Sequence, residues 1–145
     1  MNERDLPRTP RKRPRRTVEK KLRELRADEV TFTLEIEPEC EPYVGNCSAI
    51  DPETDREQED WIRRELDAGN VAAWCSVVVR ATWETPTGRT IVGIASLGAC
   101  SYRSVMEIRR ELYPEMCENA LDDLNRSIGA IFDSADALRN ALKEV

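Results

Sequence analysis

The sequence predicts an α+β domain: a small three-stranded antiparallel sheet with helices packed mainly on one face, preceded by a disordered basic N-terminal arm. Three observations predict it. Residues 30–37 alternate strictly, with Val30, Phe32, Leu34 and Ile36 on one side and Thr31, Thr33, Glu35 and Glu37 on the other, which is the period of a half-buried strand. Two further β-rich runs, residues 74–83 and 90–97, flank Thr85-Pro86-Thr87-Gly88 and read as an antiparallel hairpin. After Pro114, the residues Cys117, Leu121, Leu124, Ile128, Ile131, Ala135, Leu138 and Leu142 recur every three or four positions. Such a stripe belongs to an amphipathic helix laid across a sheet.

The elements follow in chain order. Residues 1–16 hold seven Lys/Arg and three prolines with almost nothing apolar, so they cannot offset the entropy of ordering and are expected to be disordered or extended. Thr17 can cap a short helix to about Ala27, whose narrow stripe of Val18, Leu22 and Leu25 is suited to docking on the body. Pro38 and Pro42 end the first strand and open a loop to about Ile50. Asp51-Pro52 starts a helix, with Asp as N-cap and Pro in its first turn, and Gly69-Asn70 closes it. The helix has thin apolar content (Trp61, Ile62, Leu66) and should lie on the surface. In the hairpin, Cys75, Val77, Val79, Ala81 and Trp83 share one face, and the hairpin's length suits a sheet centre. Gly98 to Tyr102 reads as a strand exit, residues 104–112 as a short helix, and Pro114 as the start of a long one with a kink expected near Gly129. The domain division is therefore 1–28 for arm and short helix and 29–145 for a single α+β domain.

Charge is divided along the chain. Residues 1–26 carry eleven Lys/Arg against four Asp/Glu, a net of +7. The rest carries eleven against twenty-four, a net of −13. An interaction tail on an oppositely charged body has this layout. No apolar run approaches the roughly 20 residues of a membrane span, and the charged N-terminus lacks the apolar stretch of an export signal. A cytoplasmic setting with reduced cysteines is expected, and the odd count of five argues against a complete disulfide framework.

The chain has no histidine, which removes the Ser-His-Asp and Cys-His arrangements, two-His metal sites and the usual general base. No enzymatic activity, cofactor or metal is expected. Cys100, at a strand-to-helix turn, could be a thiolate lowered by a helix dipole, or a small buried hydrophobe in a tight turn; the missing base favours the second. A four-cysteine zinc site from Cys40, Cys47, Cys75 and Cys100 is a weaker expectation, because Cys40 and Cys47 are too far apart for a common zinc knuckle. The strongest signal is the arm. Arg8, Arg11, Lys12, Arg13, Arg15 and Arg16 form a dense cation of the kind that neutralises phosphates and releases counterions. No aromatic is interleaved, so base stacking is not indicated. Acidic residues cluster at Asp51, Glu53, Asp55 and Glu59 and again at Asp122 and Asp123. They read either as solvated helix faces or as a negative surface that a nucleic-acid-binding protein takes for phosphates.

Three stretches carry a resemblance: Leu66-Asp67-Ala68-Gly69-Asn70-Val71-Ala72-Ala73-Trp74-Cys75, Ser96-Leu97-Gly98-Ala99-Cys100-Ser101-Tyr102 and Ala120-Leu121-Asp122-Asp123-Leu124-Asn125. Across residues 50–135 the chain resembles small proteins, with no assigned activity, encoded by bacteriophages and other bacterial mobile elements. The resemblance implies a bacterial, cytoplasmic, phage-linked setting and carries over no functional residue. Together with the charge division, it leads to the expectation of a non-enzymatic binding protein that acts on a host or phage macromolecular complex. Inhibition of a nucleic-acid-handling defence complex is one form of that activity. The alternative is a DNA- or RNA-binding accessory protein whose arm makes the phosphate contacts. No membrane partner is expected.

Overall fold

The computed structural model of the chain describes residues 22–47 and 51–143. Three strands, β1 (Thr31–Pro38), β2 (Cys75–Glu84) and β3 (Thr90–Cys100), form one antiparallel sheet in the order β1-β2-β3. Leu34 faces Val79, and Ala81 faces both Phe32 and Gly93. This register gathers the apolar alternation of all three strands on one side, as a period of two requires. Cys75, Val77, Val79 and Ala81 of the central strand are fully buried, whereas Phe32, Leu34 and Ile36 of edge strand β1 are only half buried. Burying Val77 or Val79 contributes about 1.5–3 kcal/mol each. The opposite face, with Thr33, Val78, Thr82 and Ile94, is polar or half exposed. There the Arg80 guanidinium bridges Glu35 on β1 at 2.6 Å.

The helices are α1 (Pro52–Asp67), α2 (Val105–Glu111) and α3 (Tyr113–Lys143). Asp51 caps α1 by accepting the Thr54 amide at 2.8 Å and the Thr54 hydroxyl at 2.9 Å. The helix ends in a Schellman motif: Gly69 adopts φ +88°, Asn70 N–H donates to Glu65 O at 2.9 Å and Gly69 N–H to Leu66 O at 3.0 Å. Only Ile62 of α1 is buried. A 3₁₀ turn at Val71–Ala73 leads into β2, and beside it the buried Trp74 donates its indole N–H to Glu41 O at 2.7 Å. Ser104 caps α2 through the Glu107 amide. Tyr113 then begins α3, with Pro114 in the first turn where its missing N–H costs nothing.

α3 lies across β2 and β3, and Met116, Ala120 and Leu124 are its buried positions. The approach to β3 is close enough to require glycine. A Cβ on Gly93 would overlap the Ala120 carbonyl oxygen and the Leu124 amide, and would stand 2.6 Å from Leu124 Cβ. One core therefore forms between sheet and helix, from Val77, Val79, Ile108, Leu112, Met116 and Leu124 among others.

Three expectations need correction. The helix expected over residues 17–27 is absent where the chain is described: residues 22–26 form no regular element and are followed by a 3₁₀ turn at Ala27–Glu29. The hairpin supplies the sheet centre through β2 alone, because β1 pairs with β2 and leaves β3 as an edge. Gly98 and Ala99 do not leave the sheet but continue β3 as a bulge, since Cys75 pairs with Cys100 while Val77 pairs with Leu97. Among the described residues, no helix is long and apolar enough to cross a membrane.

Candidate functional site

The cationic residues Arg8, Arg11, Lys12, Arg13, Arg15 and Arg16 lie outside the described residues, as does Val18 of the expected stripe. What the structure does describe is the root of the arm. Leu25 is buried, and its peptide is gripped by one side chain a hundred residues away. Leu25 N–H donates to Asn125 Oδ1 at 2.9 Å, and Asn125 Nδ2 donates to Leu25 O at 3.2 Å. A primary amide has one donor and one acceptor side, so Asn125 pairs with residue 25 as a neighbouring strand would. Leu22, by contrast, is exposed. Just beyond, Arg23 makes a two-pronged contact with Glu29 at 2.7 and 2.9 Å. The Arg23 hydrogen bond, with the Arg26 amide, holds the Glu29 carboxyl down at about 2. Glu24, Asp122, Asn125 and Arg126 line an open polar depression of about 440 Å³ at this point. The arm thus departs from a fixed place on α3.

The acidic candidates divide into those with local tasks and those without. Asp51 is the α1 cap. Glu53 and Asp55 occupy the first turn of α1, where the dipole favours anions. Glu59 accepts the Gly45 amide at 2.9 Å and so fastens the β1–α1 loop. Asp123 accepts the Ile94 amide at 2.8 Å, covering an outward N–H on edge strand β3 that would otherwise be open to pairing. Asp122 faces the depression at the arm root. The structure therefore places Asp122 beside the departing arm and employs Asp51, Glu59 and Asp123 in the fold.

Sequence reasoning missed Glu39. Its carboxylate accepts the Ala99 amide at 2.6 Å, the Ser76 hydroxyl at 2.9 Å and the Cys40 and Glu41 amides at 2.9 and 3.2 Å. The Ala99 amide, followed by Ser76, lowers its pKa. Ala99 sits at φ 53°, a left-handed conformation unfavourable for alanine, and Glu39 holds the bulge that imposes it. No local pattern marks Glu39; only the adjacent prolines hint at a strand end.

Beneath this bulge, Cys75 and Cys100 face each other across β2 and β3. Burial pushes the Cys75 thiol up to about 11 and raises Cys100 as well, with Glu39 adding to both. Cys100 contacts Leu97 O at 3.4 Å. A nucleophilic thiolate requires the opposite shift, and Cys100 is packed among the core residues. All five cysteines are free, and among the described residues no three His, Cys, Asp or Glu side chains converge as a metal site would need. A second depression, about 350 Å³, lies between α1 and the start of α2 and is lined by Trp61, Tyr102, Arg103 and Glu107.

Compared with family models, with curated proteins and with solved structures, the chain has no match.

Proposed function

We propose that this chain is a non-enzymatic binding protein of a phage or mobile element, acting by occupying a host or phage macromolecular complex that handles nucleic acid. The observation that carries the proposal is the anchored arm. A segment of net +7 joins a body of net −13, and its root is clipped to α3 by the Asn125 amide. Anchorage gives the cationic segment a defined point of departure from the body, so both can be read by one partner at once. The target class follows from that pairing: a complex that contains both a basic protein surface and phosphates would meet opposite charge at each. Inhibition of a defence complex is the form this takes in a phage setting.

The experiment is affinity capture from a bacterial host lysate, using the full chain and a chain lacking residues 1–21. Capture of a nucleic-acid-handling complex by the full chain, weakened by the deletion, is the expected result. Recovery of no such complex overturns the proposal. The cluster Arg8, Arg11, Lys12, Arg13, Arg15 and Arg16 also favours a second reading, direct binding to DNA or RNA, and gel shifts on naked nucleic acid separate the two. For direct binding through about five phosphates, the log–log salt slope should be about −4 to −5, and deletion of the arm should abolish the shift.

A further inference from the structure

The repeat on α3 does not stop where the sheet stops. From Cys117 to Leu142 its steps are four, three, four, three, four, three and four, an unbroken heptad with Leu124, Ile131 and Leu138 as one set and Leu121, Ile128, Ala135 and Leu142 as the other. Leu121, Leu124 and Ile128 pack on the core. Beyond them, Ile131, Phe132, Leu138 and Leu142 are 55%, 44%, 63% and 69% exposed. The same face is therefore covered for its first half and bare for its second.

We infer that the C-terminal half of α3 pairs with the same segment of a second copy of this chain, as a short antiparallel coiled coil. Three observations select that occupant. First, a strict 3.5-residue repeat keeps one seam facing another helix, while the sheet requires only an apolar stripe. Second, charge along the bare half is polar end to end: Asp133 and Asp136 come first, Arg139 and Lys143 last. An antiparallel copy that sets Ala135 against Leu138 brings Arg139 level with the partner's Asp133 and leaves only the two Asp136 side by side, each 3.9 Å from Arg139 of its own helix, whereas a parallel copy sets every charge level with its like. Third, the antiparallel register that places Ala135 against Leu138 also places Ile131 against Leu142, so small meets large and each layer combines one position from each set. Phe132 then lies near Arg139 of the second copy, a favourable cation–ring contact. The chain's own arm cannot serve in its place, because residues 1–21 offer only Met1, Leu6 and Val18 as non-proline apolar residues.

Sedimentation equilibrium of the full chain tests this, from about 1 to about 200 µM, the range in which a short helical seam should associate. The average mass should climb from 16.6 kDa toward twice that value. Ile131→Asp combined with Leu138→Asp should weaken association at least 100-fold, while the melting midpoint at low concentration stays unchanged, showing that the fold survives. For orientation, Ala135→Cys and Leu138→Cys chains in a Cys40→Ser background should cross-link when mixed, with Ala135→Cys alone failing to link to itself. A mass that remains at 16.6 kDa overturns the dimer. A dimer indifferent to the double aspartate variant overturns this interface, and self-linking of Ala135→Cys overturns the antiparallel register.

Discussion

The two halves of α3 carry the same apolar repeat and meet different surroundings. Over Met116, Ala120 and Leu124 the helix is pressed onto the sheet with its backbone against Gly93. Over Ile131, Leu138 and Leu142 it stands exposed. Periodicity thus announces that a face is to be buried, and what buries it depends on where the sheet ends. The bare half keeps the spacing of the covered half, and on that likeness the proposed self-pairing rests.

The contrast can be broken most sharply at Gly93. Gly93→Ala places a methyl group into the Ala120–Leu124 backbone, and a backbone cannot swing aside as a side chain can. The variant should lose about 3 kcal/mol or more, the upper range for overpacking, or fail to fold. Leu124→Ala, which leaves a cavity at a fully buried site, should cost about 2–5 kcal/mol. Leu138→Ala, measured by urea melts dilute enough to keep chains apart, should stay within about 0.5 kcal/mol of the parent. Equal losses at residues 124 and 138 would mean that the two halves are buried alike, and the distinction would fall.

A gentler probe is the arm root. Asn125→Leu keeps bulk at a half-buried position and removes both hydrogen bonds to Leu25. A net hydrogen bond is worth about 0.5–1.5 kcal/mol, so a loss of about 1–2 kcal/mol is expected. Amide exchange at Leu25 should quicken while exchange at Val79 in β2 falls only with global stability. Unchanged exchange at Leu25 would show that packing, not the Asn125 clip, fixes the root.

These sites also show which parts of the structure were legible in the sequence. The three strands, their inward faces and the extent of α3 were readable because burial on one side writes itself as a period of two or of about 3.6. The cap at Asp51 was readable for a similar reason, as its partner lies within three residues. Failures came where the partner is distant. Val18, Leu22 and Leu25 have helical spacing, yet Leu25 is not helical, and its peptide is satisfied by Asn125 from a hundred positions away. Gly98-Ala99-Cys100 has the composition of a turn, but a carboxylate sixty residues earlier holds it in the sheet. Nor can local sequence tell an acid that caps a strand edge, such as Asp123, from one that faces solvent, such as Asp122, when the two are adjacent.

At Glu39 the expected effect is modest, and it depends on pH. Four donors converge on one carboxylate: the amides of Ala99, Cys40 and Glu41 and the Ser76 hydroxyl. Glutamine supplies one acceptor oxygen and turns an NH₂ group toward two of those donors, so Glu39→Gln should lower the melting midpoint at neutral pH by a few degrees. The Ala99 amide, as the main cause, lowers the folded pKa of Glu39 below its ordinary 4.5. A depressed carboxyl adds stability that is full above the ordinary value and disappears as pH falls through the folded one. The gap between parent and variant should therefore be widest near neutrality and shrink well below pH 4.5, where protonated Glu39 comes to resemble the glutamine. Thermal melts of both chains across that range check the sign. A gap that keeps its size in acid would show that the bulge is held by shape alone, leaving the strained Ala99 without the charge assigned to it here.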